Sequence, residues 1–115
     1  MERLSRGGIY LARLDPARGA EVGKLRPVAV LSAKEVLDVA SPLLFICPLS
    51  SRSDSVFDAL HVTLPPRDGL KVHSYALVEH CRAVSRSRLL SERIAQLTDE
   101  ELAMILHRLQ RLVGL

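Results

Sequence analysis

The sequence predicts a small, mainly β protein in which a barrel-like sheet is covered by one C-terminal helix. Five or six short apolar segments are separated by proline and glycine, which is typical of strands joined by tight turns. An amphipathic helical pattern is confined to the end of the chain. A length of 115 residues fits one compact domain, so we expect a single domain over residues 1–115.

The first two predicted strands flank a long loop. The segment GIYLARL, residues 8–14, forms the first strand, and Asp15-Pro16 ends it. Residues 15–25 form a loop that contains two glycines. Pro27 opens the second strand, over residues 27–32, because a proline is tolerated at the first position of a strand. This strand is almost entirely apolar, which favours a covered position in the sheet.

The middle of the chain alternates short elements with polar turns. We predict a short helix over 33–39, a third strand over 43–49, a polar loop over 50–55, a fourth strand over 60–64, a fifth strand over 74–80 that residues 82–84 continue past a kink, and a short edge strand over 93–97. Alternation along the fifth strand would put His80 and Arg82 on one face and Glu79 on the other.

The last helix has the clearest signals. Thr98 as N-cap and Glu101 three residues later form a capping box, and two further acids complement the helix dipole. The apolar residues that follow fall on one helical face: Leu102, Ile105, Leu106, Leu109, Leu112 and Val113.

Composition favours an anionic partner. The formal net charge is +3, with thirteen arginines and three lysines, and the planar arginine fork suits carboxylates and phosphates. High-GC codon usage is the alternative explanation for this bias. Cys47 and Cys81 have no zinc or redox spacing, so we expect buried, reduced thiols. No apolar run approaches the ~18 residues of a membrane span, and we expect a cytoplasmic protein without membrane, metal or cofactor.

Arg26 is the first candidate site residue. A residue before proline is restricted to extended backbone, so the Arg26 side chain projects from the stiff start of a strand. The alternative is a surface ion pair with Glu21. Ser50, Ser51 and Arg52 form the second candidate, since hydroxyls and a guanidinium at a strand end can hold a phosphate or simply close a turn.

The third candidate is the segment Glu79-His80-Cys81-Arg82, because the imidazole of His80 titrates near neutrality, although a lone strand histidine is more often a packed residue. No P-loop, nucleophile elbow or clustered metal ligands stand out in the sequence.

These segments together resemble the MazF/PemK family, the toxins of bacterial toxin–antitoxin pairs. The most specific part is GAEVGKLRP at 19–27. The other matching pieces are RGGIYLA at 6–12, ICPLSS at 46–51, ALVEHCRAV at 76–84, Arg88-Leu89, and LTDEE at 97–101. The likeness covers about residues 5–112.

The resemblance implies a small SH3-like barrel with helices that forms a homodimer. It implies a metal-independent endoribonuclease that cuts single-stranded RNA at short motifs, inhibited by an antitoxin whose acidic tail lies across the RNA groove. Arg26 and Ser50 match the family's catalytic positions, where Ser50 replaces the commoner Thr. The expected RNA-contacting residues are Glu21, Lys24, Ser51, Arg52, His80 and Arg82.

Two alternatives remain open, one because of the shared fold and one because of departures from the family pattern. Gly8 replaces a frequent Asp, and His80 replaces a frequent Gln, so base specificity cannot be carried over. The first alternative is a CcdB-type toxin, which has the same barrel but binds DNA gyrase and cleaves nothing. The second is a dimeric, antitoxin-binding homologue that has lost catalysis.

Overall fold

The computed structural model describes residues 3–21, 23–53 and 56–115. Within these ranges the chain forms seven strands: β1 Gly8–Arg13, β2 Leu25–Val30, β3 Leu43–Ser50, β4 Val62–Leu64, β5 Ser74–Ala76, β6 Arg82–Ser85 and β7 Ala95–Gln96. The helices are α1 Lys34–Asp38 and α2 Asp99–Leu112, and 3₁₀ turns lie at Asp58–Leu60, Val78–His80 and Arg86–Arg88. Positions 54 and 55 of the predicted polar loop, and position 22 of the first loop, lie outside the described residues.

All strand pairs in the sheet are antiparallel, in the order β4-β5-β3-β2-β1-β7, and β6 also pairs with β3. The sheet is curled around the long strand β3. Residues 43–46 of this strand pair with β6, whereas residues 49–50 pair with β5. The predicted class is confirmed: a mainly β protein with a small, curled sheet and one C-terminal helix. The predicted edge position of the strand within 93–97 is also confirmed, since β7 ends the order.

Both faces of the central strands are covered. Alternate residues of a strand point to opposite faces, so neighbouring residues join different apolar clusters. Ile9, Ala29 and Cys47 belong to a cluster that includes Ile105 of α2. Their neighbours along the strands belong to a second cluster, which includes Leu37 of α1. The buried side chains are almost all aliphatic, with Tyr10 as the aromatic exception among them.

The second strand begins two residues earlier than predicted, so Pro27 lies inside it. Pro27 is the third residue of β2 and faces Leu11 of β1. On the other side, the ladder with β3 covers only Val28–Val30. Proline is tolerated in a strand where a ladder partner is missing on one side, which explains its place here.

The predicted fifth strand ends early. β5 stops at Ala76, and residues Val78–His80 form a 3₁₀ turn in place of extended backbone. The Leu77 N–H donates to the Pro48 carbonyl at 2.9 Å, at the point where β3 exchanges β5 for β6 as its partner. The turn carries the chain across this exchange, so the predicted alternation of Glu79 and His80 between two faces is wrong.

Helix α2 begins as predicted. Thr98 Oγ1 accepts the Glu101 N–H at 3.1 Å, and Glu101 Oε1 accepts the Thr98 N–H at 2.9 Å, which completes the capping box. Ile105 is buried, and Leu102 and Leu109 pack against the same cluster. The last turn differs from the prediction, because Leu112 and Val113 are exposed.

Glu101 also joins α2 to the loop between β4 and β5. Its carboxylate accepts two hydrogen bonds from the Arg67 guanidinium, the longer at 2.6 Å, and both side chains are mostly buried. Burial raises the pKa of Glu101, but the hydrogen bonds from Arg67 and Thr98 outweigh it and hold the pKa below its ordinary value.

We expect Glu101→Gln to lower the free energy of unfolding at neutral pH by about 1–3 kcal/mol, because a charge-assisted bidentate pair is lost. A lowered folded-state pKa contributes stability above the unfolded pKa, and this contribution disappears as pH falls through the folded pKa. Urea unfolding should therefore show the gap between wild type and variant closing as the pH falls below about 4. Glu100→Gln, in the same turn, is the control, and an equal loss there would contradict this account.

The two cysteines differ from the prediction in one respect. Both are free thiols, and Cys47 is buried as expected, but Cys81 is only half-buried. A hydrogen bond with Cys81, together with burial, raises the pKa of the Cys47 thiol well above its ordinary value. Within the described ranges, every helix is too short or too polar to span a lipid bilayer.

Candidate functional site

Two grooves contain most of the residues singled out from the sequence. The first has a volume of about 450 Å³, and its polar and charged lining residues are Lys24, Arg26, Ser50, Ser51, Lys71 and Ser74. The second has a volume of about 230 Å³, and its lining residues are Glu21, Pro48, Glu79, His80, Cys81 and Arg82.

Arg26 and Ser50 come together in the first groove through strand pairing. Arg26 is the second residue of β2 and faces Ala12 of β1, whereas Ser50 ends β3 and faces Tyr75 of β5. The β2–β3 ladder pairs Val28 with Pro48. Extending this antiparallel register by two residues places Arg26 opposite Ser50, and residues in opposite positions project to the same face.

The first groove is cationic. Lys24, Arg26 and Lys71 line it, and its described lining contains no carboxylate. Leucine, isoleucine, valine and proline side chains form the remaining walls. Apolar walls reduce screening by water, so the three positive charges attract an anion more strongly than they would on an open surface.

The Arg26 guanidinium is held at its base by the preceding loop. Its Nε–H donates to the Gly23 carbonyl at 2.9 Å, and the side chain is half-buried. This bond uses one of five N–H groups and leaves the two terminal nitrogens at the far end of the planar fork. A guanidinium fixed in this way can hold two oxygens of a phosphate at once.

Ser50 closes a turn and also lines the groove, so both roles considered from the sequence apply to it. Its Oγ accepts the Arg52 backbone N–H at 3.1 Å, which closes a turn after β3. A hydroxyl that accepts one hydrogen bond still has its own proton to donate. Ser50 is therefore fixed in place and remains a donor toward the groove that it lines.

Glu21 and Arg26 lie in different grooves. Glu21 Oε1 accepts the Arg18 backbone N–H at 2.8 Å, and its side chain lines the second groove. Arg26 lines the first groove and donates to Gly23. The surface ion pair between them, considered as an alternative, is not the arrangement that these contacts describe.

The second groove carries mixed charge. Glu79 and His80 line it together because both belong to the 3₁₀ turn, and His80 Nε2 is 3.8 Å from Glu79 Oε2. Behind them, the buried His61 Nε2 lies 2.8 and 2.9 Å from the two Glu79 oxygens, and Ser53 Oγ lies 2.7 Å from His61 Nδ1. Donors and acceptors in one small groove suit the hydrogen-bonding edges of nucleobases better than they suit phosphate.

The other expected RNA-contacting residues are divided between the two grooves, except for Arg52. Lys24 and Ser51 line the first groove, and His80 and Arg82 line the second. Arg52 is exposed beside Ser50 but lies outside the described lining of both grooves.

Three charged or hydroxyl-bearing groove residues are absent from the expected RNA contacts: Lys71, Ser74 and Glu79. Lys71 and Ser74 reach the first groove because β5 pairs with the end of β3, and no local spacing signals that pairing. Glu79 was assigned to the opposite face from His80 because the segment was predicted to be extended.

Gly8, one of the departures from the family pattern noted in the sequence, is explained by packing. A Cβ atom at this position would lie 2.7 Å from Ser5 Oγ and 2.8 Å from the ring of Tyr10. Tyr10 is buried, and its hydroxyl accepts the Ser5 N–H at 3.0 Å. A longer side chain at Gly8 would displace this contact, and Gly8 lies outside the described lining of both grooves.

The fold is shared with proteins of known structure. MazF from Deinococcus radiodurans is 30% identical, with a TM-score of 0.84 over 100% of both chains. A MazE–MazF structure from the same organism is 29% identical, with a TM-score of 0.76 over 100% of this chain and 99% of that one. An endoribonuclease in complex with its cognate antitoxin from Mycobacterial species is 16% identical, with a TM-score of 0.73 over 100% and 97% of the two chains, and shares the fold.

A family model described as "PemK-like, MazF-like toxin of type II toxin-antitoxin system" matches residues 5–113, almost the whole chain. The chain therefore belongs to the PemK-like and MazF-like toxins of type II toxin–antitoxin systems.

Proposed function

We propose that this toxin is a metal-independent endoribonuclease that cleaves single-stranded mRNA at short sequence motifs. The observation that supports it most strongly is the shared cationic groove of Arg26 and Ser50. The groove combines a fixed guanidinium with a fixed hydroxyl, and family membership favours the same activity because a relative of this fold is an endoribonuclease.

RNA supplies its own nucleophile in this reaction. The 2′-oxygen forms a bond to phosphorus as its proton leaves, the bond to the 5′-oxygen breaks, and that oxygen takes up a proton. The products are a 2′,3′-cyclic phosphate and a free 5′-hydroxyl. Neither a covalent serine intermediate nor a metal-bound water is required.

The five-coordinate phosphorane gains negative charge as it forms. In this proposal Arg26 binds two of its oxygens and the Ser50 hydroxyl donates to another, which their shared groove supports. The pKa of an arginine lies above ~12, so Arg26 stabilises charge more readily than it removes a proton. As charge develops on the leaving 5′-oxygen, a proton from this side chain or from water completes the step.

The second groove selects bases in this proposal. Its carboxylates accept hydrogen bonds from base amino groups, and Arg82 and His80 donate to ring nitrogens and carbonyl oxygens. The chain has only two tyrosines and two phenylalanines, so base stacking contributes little. Most of the affinity then comes from phosphate contacts in the first groove and is sensitive to salt.

The cognate antitoxin is expected to inhibit the enzyme with an acidic tail laid over the first groove. Three groove cations complement such a tail, and the MazE–MazF structure from Deinococcus radiodurans supports a partner of this kind. Because its substrate is mRNA, we place the toxin in the cytoplasm.

We also propose a homodimer, on grounds that differ partly from the sequence argument. From the sequence, the apolar strand over 43–49 was expected to need cover by a second subunit. In β3, however, only Leu43 is exposed. Apolar side chains remain exposed elsewhere, including Val39 and, at the end of α2, Val113 and Leu115. Sedimentation should give the mass of a dimer at micromolar concentration, and a stable monomer would contradict the proposal.

The activity is tested with purified toxin, free of antitoxin, on a long natural RNA in the presence of EDTA. Primer extension should map cuts to one short motif, with cyclic phosphate at each 3′ end. DNA supercoiling by gyrase is measured in parallel. Intact RNA from folded toxin would overturn the proposal, and inhibition of gyrase would then favour the CcdB-type alternative.

Lys71 tests the role of the first groove in binding. We expect Lys71→Ala to raise KM several-fold with little change in kcat, and to reduce the slope of log affinity against log salt by about 1, because one phosphate contact is lost. The control is Lys34→Ala, since Lys34 lies on α1 and pairs with Asp38 at 2.7 Å. An unchanged salt slope in Lys71→Ala would place the RNA backbone elsewhere.

A further inference from the structure

The loop between β1 and β2 is clamped at its base by Asp15. Asp15 Oδ1 accepts the Lys24 backbone N–H at 2.7 Å, and the Leu14 N–H donates to the Lys24 carbonyl at 2.8 Å. A carboxylate that accepts a backbone N–H forms a charge-assisted bond, which is stronger than a bond between neutral groups. The two ends of the loop are therefore fastened to each other immediately before Arg26.

Gly23 lies directly against this carboxylate. A Cβ atom at Gly23 would be 2.6 Å from Asp15 Oδ1 and 2.9 Å from Ala17 Cβ, so only glycine fits without displacing the loop. The Gly23 carbonyl in turn accepts the Arg26 Nε–H at 2.9 Å. Asp15 therefore binds the N–H of the same Gly23–Lys24 peptide group whose carbonyl orients the guanidinium.

Arg88 fixes Asp15 from the other side. Its Nη1 donates to the Asp15 carbonyl at 2.6 Å and to the Arg13 carbonyl at 3.1 Å. The backbone of Asp15 is therefore held to the turn that follows β6, while its side chain holds the loop. A continuous path of contacts runs from this turn through Asp15 and Gly23 to Arg26.

We propose that Asp15 is a positioning residue for Arg26, which acts by fixing the Gly23 carbonyl and so the plane of the guanidinium. Asp15 lies outside the described lining of both grooves, so it acts through Arg26 without touching RNA. The consequence for RNA cleavage rests on the proposed function. The positioning itself is a property of the free toxin.

Kinetics of Asp15→Ala and Asp15→Asn provide the first test. Displacing a catalytic group by about 1 Å can cost up to ~10²-fold in rate, so Asp15→Ala should lower kcat about 10- to 100-fold with KM nearly unchanged. Asparagine keeps an oxygen acceptor for the Lys24 N–H, so Asp15→Asn should recover most of kcat. Gly23→Ala should reproduce the alanine defect, and Glu35→Ala, an exposed acid on α1, should behave as wild type.

A double-variant comparison separates positioning from general destabilisation. Arg26→Lys keeps a positive charge but lacks the Nε–H that Gly23 accepts, so Asp15→Ala should reduce its activity less than about 2-fold further. If the two losses multiply in full, Asp15 acts independently of Arg26 and the proposal fails. Thermal unfolding of every variant checks that the fold is retained.

The second test does not depend on activity. In ¹⁵N-labelled toxin, the Arg26 Nε–H resonance, identified by its loss in Arg26→Lys, should exchange slowly with water in wild type and rapidly in Asp15→Ala. Equal exchange in both would overturn the positioning role whether or not RNA is cut. If exchange is slow in wild type and rapid in Asp15→Ala, but the wild-type toxin leaves RNA intact, the positioning role is upheld and the nuclease function is refuted.

Discussion

Arg26→Ala should lower kcat for RNA cleavage by about 10²–10³-fold or more, which corresponds to roughly 3–4 kcal/mol of transition-state stabilisation. The reason is that the phosphorane gains negative charge in the groove where the guanidinium is fixed. A donor held rigidly before the reaction contributes more than a mobile one, because no reorganisation accompanies the attack. Single-turnover cleavage of a short RNA that contains the mapped motif measures this loss.

The design of this experiment depends on Arg26 having little structural role. Its side chain is half-buried and makes its hydrogen bond to the adjacent loop, so the thermal midpoint should change little. Arg111→Ala, which removes an exposed arginine from the last turn of α2, is the charge-matched control. If Arg26→Ala cut RNA at more than about a tenth of the wild-type rate, transition-state stabilisation would have to come from other residues.

The parts of the fold that the sequence predicted well are those with local causes. The capping box of Thr98 and Glu101 fixes the start of α2 from contacts within four residues. Asp15-Pro16 ends β1 within one residue of the predicted position for a similar reason. Signals of this kind are present in the segment itself, and tertiary packing does not need to supply them.

The errors arise where pairing partners decide the structure. Pro27 was predicted to open β2, but the ladder with β1 continues to Leu25 and tolerates the proline, because β3 pairs only from Val28 onward. The stretch after Ala76 has the apolar pattern of a strand, yet it turns because β3 changes partners there. Neither fact is encoded in the residues of the segment concerned.

The candidate site shows the same division. Arg26 and Ser50 were singled out from their places at strand ends and then matched to a family's catalytic positions, and the register of β2 and β3 explains why they share a groove. Lys71 reaches that groove only through the loop that precedes β5, so no motif near it could have indicated the contact. Glu79 was assigned to the wrong face because its position depends on the 3₁₀ turn.

Ser50→Ala is expected to lower kcat by about 10²-fold, since it removes one preorganised donor and leaves Arg26 in place. Ser50→Thr should retain most activity, because threonine keeps the hydroxyl in a more restricted rotamer. Ser41→Ala is the matched control, since Ser41 Oγ also accepts the N–H two residues on, from Leu43 at 3.2 Å, and Ser41 lies outside the described lining of both grooves. The Ser50 oxygen also accepts the Arg52 N–H, so loosening of this turn is a second way for the alanine variant to lose rate. The two causes differ in their kinetics: a lost donor lowers kcat alone, whereas a loosened turn also raises KM and weakens binding of an uncleavable 2′-deoxy substrate analogue. A variant that binds this analogue as wild type does, yet cleaves RNA slowly, would assign the Ser50 hydroxyl to the transition state, and a variant of wild-type rate would leave the chemistry to Arg26 and water.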